Sequence, residues 1–139
     1  MKSVLPDSNV LIDLFNGIRD AAPQLARADR IHVSPVVLGE IRAGLGESRK
    51  DRAAAAVLDD FLALPYVQVV PVSETAADYY AGLFRFLRRA GRKIPDNDLW
   101  IAAQALELGA LLLSRDAHFA AIPNLRVWPP SPPMEFPSP

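Results

Sequence analysis

The chain reads as an α/β domain of the three-layer kind, with a central, mostly parallel sheet and helices on both faces. Three observations predict this. Short apolar runs rich in β-branched residues alternate with helix-like stretches along most of the chain. The helix-like stretches open on Ser, Asp or Pro and close near Gly. At 139 residues, half of them apolar, the chain is long enough to bury one real core. Strands alternating with helices require crossover connections, which lay the strands parallel and cover both sheet faces.

Taken in order, Ser3 to Pro6 is an apolar run that suits a buried strand, with Pro6 at its end. Ser8 or Asp7 can then cap a helix carrying Val10, Leu11, Leu14 and Phe15, ended by Gly17. A short helix is expected near Pro23 to Ala28, and a strand from Ile31 to Ser34. In "SPVVLGEIRAGLG", Ser34 is placed as N-cap, Pro35 at the first helical position and Gly46 near the stop. Arg49 to Leu64 is a long Ala-rich helix, and Val67 to Val72 a β-branched strand. Ser73 opens a helix through Tyr79, Tyr80, Leu83, Phe84 and Leu87 that ends at Gly91. Asn97 to Leu108 is a helix stopped by Gly109, Leu111 to Ser114 a continuous apolar strand, and Arg126 to Trp128 a last short one. Residues 1–128 form the domain; Pro129 to Pro139, with six prolines, cannot extend a sheet and reads as a tail.

Composition excludes several chemistries. There is no cysteine, so disulfides and thiolate zinc sites are ruled out, and His32 and His118 alone make a poor zinc site. No apolar run is long enough to span a membrane. Asp7 and Asp13 interrupt the apolar N-terminus, against a signal peptide, so a soluble cytoplasmic protein is the expectation. The net charge of −1 conceals a partition: with four carboxylates assigned to one site, the remainder carries +3. A mildly basic surface around an acidic pocket suits a polyanionic substrate, although +3 is also ordinary for a domain this size.

Those four are Asp7, Glu40, Asp98 and Asp116. In open α/β sheets the functional crevice lies beyond the carboxyl ends of the strands. Asp7 directly follows the first strand, Asp116 lies two residues after "LLLS", and Asp98 sits in the first turn of a helix. Glu40 lies within the helix after the second strand, on a face shared with Val36, Val37, Ala43 and Gly44. Each has a purely structural use: a helix cap for Asp7, the helix dipole for Asp98, an Arg42 pair for Glu40, a turn for Asp116. Together they point to one sheet edge, where they would repel one another unless a cation neutralised them. An all-oxygen donor set selects Mg²⁺ or Mn²⁺, ions suited to phosphodiester hydrolysis by activated water. Of the neighbours Asp96 and Asp98, a helix beginning at Asn97 makes Asp96 the N-cap and leaves Asp98 as the ligand.

"LPDSNVLIDLF", Glu40 in "VVLGEIRAGL", "IPDNDLWIAAQAL" and "LLLSRDAHF" together resemble the PIN-domain ribonucleases, specifically the VapC toxins of bacterial toxin–antitoxin pairs. The resemblance runs from Val4 to about Trp128. It implies a PIN-like parallel sheet between helices and a Mg²⁺-dependent endoribonuclease, inhibited by a cognate antitoxin and expected as a homodimer. By the family pattern Asp7, Glu40, Asp98 and Asp116 form the acidic quartet. Asp7 and Asp98 match the metal ligands, while Glu40 and Asp116 complete the pocket. Asn9 matches the residue supporting the first aspartate, and Ser114 the hydroxyl near the fourth acid. Ser8 and Ser114 stand where threonine is common, and both keep the hydroxyl.

The basic cluster Arg88, Arg89, Arg92 and Lys93 can hold RNA phosphates near the pocket or simply favour a helix C-terminus. Tyr79, Tyr80, Phe84 and Phe86 have the spacing of core packing or a dimer face rather than of base stacking. His118 reads as a partly exposed turn residue. Two rivals differ in class. A Mg²⁺-dependent phosphatase of the haloacid-dehalogenase type needs an acid where this chain has Asn9, and a non-catalytic RNA- or antitoxin-binding module would not need all four acids.

Overall fold

The computed structural model of the protein describes residues 1–130. In chain order the elements are β1 (Ser3–Pro6), α1 (Ser8–Phe15), α2 (Ala22–Ala26), β2 (Arg30–Val33), α3 (Pro35–Gly44), α4 (Arg49–Leu62), β3 (Val67–Val69), α5 (Glu74–Arg89), α6 (Asp96–Leu108), β4 (Leu111–Leu113), a 3₁₀ turn (Ala117–Ala121) and β5 (Val127–Trp128). The proline-rich segment expected as a tail falls, from residue 131 on, outside the described residues.

The strands lie in the order β3-β2-β1-β4-β5, all parallel. The chain builds outward from β1 through β2 to β3, then crosses back to place β4 on the other side of β1. Val4, Leu5 and Pro6 pair with Leu111, Leu112 and Leu113 at that junction. This is a topological switch point, where crossovers leave in opposite directions and a crevice opens beyond the strand ends. Leu5, Val33, Leu112 and Leu113 are wholly buried, as strands covered on both faces must be.

Side chains punctuate the helices. Ser34 accepts from the Val36 N–H with Pro35 at the first helical position, Ser48 from Asp51, and Ser73 from Ala76. Gly109 ends α6 at φ 61°, a left-handed conformation open to glycine without a Cβ penalty. Helix α6 is the central element: Leu99, Ile101, Ala102, Ala103 and Ala105 are all buried, so it packs on several sides at once.

Besides shifts of one or two residues at other element ends, four features differ from the sequence reading. Strand β3 stops at Val69, because after Val70 donates to the Val33 carbonyl the chain reaches Pro71, which has no N–H to offer. Helix α3 stops at Gly44, and Leu45 is already extended. Helix α6 starts at Asp96 rather than Asn97. Pro95 is its cap residue, with its carbonyl accepting from the Leu99 N–H, so Asp96 is inside the helix and caps nothing. Of the α5 aromatics only Tyr80 packs against the core; Tyr79, Phe84 and Phe86 are exposed, because Ala76, Leu83 and Leu87 serve the inner face.

Candidate active site

The switch point gathers the acids from four parts of the chain. Asp7 leaves the end of β1 and donates its N–H to the Leu113 carbonyl at 2.8 Å, which fixes it against β4. Its side chain is fully engaged. One oxygen accepts from the Ser8 N–H at 2.8 Å, the cap interaction. The other accepts from the Ser114 hydroxyl at 2.8 Å and the Asn9 amide at 3.2 Å. Asn9 also donates to Ser114 Oγ and accepts from the Arg115 N–H, and Ser114 Oγ accepts from the Asp116 N–H. Asn9 and Ser114 thus tie the end of β1 to the end of β4 and hold both Asp7 and Asp116.

Asp98 enters from the first turn of α6 and is buried, whereas Asp96 is exposed and accepts from the Tyr80 hydroxyl at 3.0 Å. Asp116 caps the 3₁₀ turn by accepting from the His118 N–H. That turn carries the His118 ring back between two acids: Nδ1 lies 2.9 Å from Asp98 Oδ2 and 3.0 Å from Asp116 Oδ1. His118 is therefore more than a turn residue. The spacing of "RDAHF", two residues from Asp116, was its only sequence signal; the approach of α6 is long-range.

Glu40 reaches the cluster from α3. One of its carboxylate oxygens is buried without a hydrogen-bond partner, and no Arg42 pair forms among the described residues. Burial pushes Glu40 above the ordinary glutamate range, and the charges of Asp7 and Asp98 push it further. Asp7 is raised chiefly by burial, against the pull of its Ser114 and Ser8 hydrogen bonds, with Asp98 and Asp116 adding to the rise. Burial also raises Asp98, with Asp116 adding and His118 opposing. The bond to Asp98 raises His118. Asp7, Glu40 and Asp98 thus form one electrostatic unit that resists full ionisation.

These residues fit a hard divalent cation. The orphaned Glu40 oxygen wants a partner, the raised carboxyls want positive charge, and ligand atoms of Asp98, Asp116 and His118 all lie within 4.8 Å of one another. His118 Nδ1 stands among these oxygens, 2.9 Å from Asp98 and 3.0 Å from Asp116, where it can offset part of their charge.

Outside the cluster, Arg115 pairs with Asp13 at 2.9 Å, bridging α1 to the segment after β4. Arg88, Arg89, Arg92 and Lys93 are exposed at the end of α5 and in the loop leading to α6, and form no ion pair among the described residues. A buried polar residue also escaped the sequence reading. Gln104, wholly buried in α6, accepts from the Ser34 hydroxyl and donates to the Val70 and Pro71 carbonyls. It joins the helix bearing Asp98 to the start of the helix bearing Glu40. A lone amide within the apolar stripe of α6 was its signal.

A parallel sheet with an acid quartet at its switch point defines a PIN domain, and residues 4–125 match that family. Within it the chain belongs to the VapC ribonucleases. It is 35% identical to Ribonuclease VapC4 of Mycobacterium tuberculosis over 95 residues, 68% of this chain and 73% of that one. Two solved structures share the fold. VapBC2 from Rickettsia felis, bound to a DNA fragment from its promoter, has a TM-score of 0.77 at 28% identity, covering 90% of this chain and 96% of that one. VapBC-5 from Mycobacterium tuberculosis, a member of the VapBC family of toxin–antitoxin systems, has a TM-score of 0.69 at 28% identity, covering 91% and 96%. Among the described residues no helix is long and apolar enough to cross a membrane.

Proposed function

We propose that the chain is a Mg²⁺-dependent endoribonuclease, with Mn²⁺ as substitute ion, and the toxin of a type II toxin–antitoxin pair. The observation that carries the reading is the acid cluster: three carboxyls raised by burial and by one another around an unpartnered Glu40 oxygen. Asp7 and Asp98 hold the ion, and Glu40 and Asp116 complete the pocket directly or through water. The ion supplies a Lewis acid for the scissile phosphate and a more acidic water. Asn9 and Ser114 keep Asp7 oriented, as supporting groups do for metal ligands. His118 offsets part of the negative charge between Asp98 and Asp116. Arg88, Arg89, Arg92 and Lys93 hold the RNA backbone. The products are a 5′-phosphate and a 3′-hydroxyl, and no protein nucleophile takes part.

The VapBC relatives support a cognate antitoxin as partner. By the family resemblance, its C-terminal segment would cover the acids of a cytoplasmic homodimer. The phosphatase alternative is disfavoured by Asn9. Its amide donates to Asp7, and an ionised acid at that position has no proton to donate.

The test is cleavage of total RNA by the purified chain in Mg²⁺ or Mn²⁺, with EDTA, Asp98→Asn and Asp96→Asn in parallel. Metal-dependent fragments lost with Asp98→Asn and kept with Asp96→Asn support the reading. Loss with Asp96→Asn alone reverses the ligand assignment, and failure to bind either ion overturns the quartet.

A further inference from the structure

We propose that the cavity between the end of α5 and the start of α6 seats one unstacked base of the single-stranded RNA being cut. The inference rests on the nuclease reading and adds how the substrate is gripped. The cavity measures about 330 Å³, within the size range of small-ligand sites. Phe84, Leu87 and Leu99 form its apolar wall; Arg88, Arg92 and Lys93 outnumber one acid, Asp96, which accepts from the Tyr80 hydroxyl, at its rim.

Three features fit this occupant. Phe84 is 46% exposed although it borders a concave site, so its ring is available for contact. It is also held in place. Its ring stacks on Tyr80 with centroids 6.3 Å apart and planes 23° apart, and Tyr80 stacks on Trp100 at 4.1 Å and 17°. A ring stacked on Tyr80, itself backed by Trp100, is a pre-oriented platform, and a base can stack on it whatever its identity. The rim cations are exposed and without ion pairs among the described residues, which complements the phosphates on either side of a seated base. Finally, Leu99 adjoins Asp98 in the first turn of α6. Cavity and acids therefore flank one helical turn, about a helix width of ~10 Å apart, and one strand of RNA can reach both.

A second copy of the chain fits less well, because a symmetric contact here would bring two sets of unneutralised cations together. It remains a distinct outcome of the test.

Binding is measured by fluorescence anisotropy with the full chain carrying Asp98→Asn, which leaves the oligonucleotide uncut. The probe is a fluorescein-labelled single-stranded oligoribonucleotide of mixed sequence, together with a series made abasic at one position at a time. Phe84→Ala is expected to weaken binding about tenfold, and Phe84→Trp to restore it. One abasic probe is expected to bind as weakly as Phe84→Ala does, with no further loss when the two are combined. Arg92→Ala and Lys93→Ala should each lower the salt slope by about 0.7. Equal affinity of Phe84→Ala and its parent overturns the proposal, as does the same loss on every abasic probe. Conversion of a dimer to a monomer by Phe84→Ala with RNA affinity unchanged assigns the face to a second copy instead. Wild-type cleavage in Mg²⁺ is run alongside. Cleavage without any Phe84 effect overturns the base seat alone; a Phe84 effect without wild-type cleavage overturns the nuclease reading.

Discussion

The Ser114 hydroxyl donates to Asp7 across 2.8 Å, joining two residues 107 positions apart in sequence. The same oxygen accepts from the Asp116 N–H, so one hydroxyl orients two of the four acids. Ser114→Ala is expected to leave the Asp116 N–H without its acceptor and Asp7 with one donor fewer, destabilising the fold by about 1–3 kcal/mol. Mn²⁺ affinity should fall about 10–100-fold, as when a metal ligand loses its support. Ser114→Thr keeps the hydroxyl and should restore both. Urea unfolding and calorimetric Mn²⁺ titration read the two effects; Mn²⁺ affinity unchanged in Ser114→Ala would remove this serine from the site.

Asp98 and Asp96 sit two residues apart in α6 and differ in surroundings. Asp98 is buried among acids, and Asp96 is exposed against the Tyr80 hydroxyl. Asp98→Asn should lower RNA cleavage by at least about 10²-fold, on the scale of losing a group that stabilises developing charge. Asp96→Asn should cleave at close to the wild-type rate. Initial rates on one radiolabelled RNA decide between them.

Asp7, Glu40 and Asp98 all have folded-state pKa values above their ordinary values, so each holds its proton longer when folded than when unfolded. His118, raised by Asp98, shifts in the same direction. Between the ordinary and the raised values the folded state binds more protons, and stability then falls as pH rises. For the acids the loss starts above the ordinary values of 3.8 and 4.5; for His118 it starts above 6.5. Burial lowers His32, with Arg30 adding, so His32 opposes this trend below its ordinary value of 6.5; in EDTA the melting temperature should therefore decline as pH rises above 6.5. Saturating Mg²⁺ should flatten or reverse that decline. A melting temperature in EDTA that rises over this range would contradict the assigned shifts.

Glu40 offers a sharper form of the same idea. Its ionised carboxylate is held near Asp7 and Asp98 with one oxygen unpartnered. Glu40→Gln should raise the melting temperature of the protein in EDTA at neutral pH while lowering Mg²⁺ affinity. Differential scanning calorimetry with and without the ion separates these opposite signs.

Gln104 is the buried polar residue whose loss should be felt most. Replacement by leucine strands the Ser34 hydroxyl and two backbone carbonyls. Each stranded group costs about 1–3 kcal/mol, partly relieved where water enters. A total of about 2–4 kcal/mol is expected in chemical unfolding.

The order of strands and helices was legible because their signals are local: β-branched runs, serine caps, and glycines just past helix ends. So were the positions of Asp7, Asp98 and Asp116 at strand and helix ends, and of Glu40 within α3. What escaped was non-local. The contact of His118 with Asp98 spans 20 residues, and that of Gln104 with Ser34 spans 70. No local pattern encodes an approach of that kind. Asp96 was misread because Pro95 provides a cap position without a capping side chain. The helix therefore starts one residue early and turns Asp96 toward Tyr80. The aromatic spacing on α5 marked a face, but only the packing of Ala76, Leu83 and Leu87 decides which face is inside.

The switch in strand order also has a consequence for biosynthesis. β4 slots beside β1 only after β2, β3 and six helices have been made, and Asp116 lies beyond β4. A nascent chain halted at the end of α5 carries Asp7 and Glu40 but neither Asp98 nor Asp116. An acid cluster able to hold an ion therefore completes only when most of the chain has left the ribosome. A chain truncated there lacks two of the four acids on which the proposed chemistry depends.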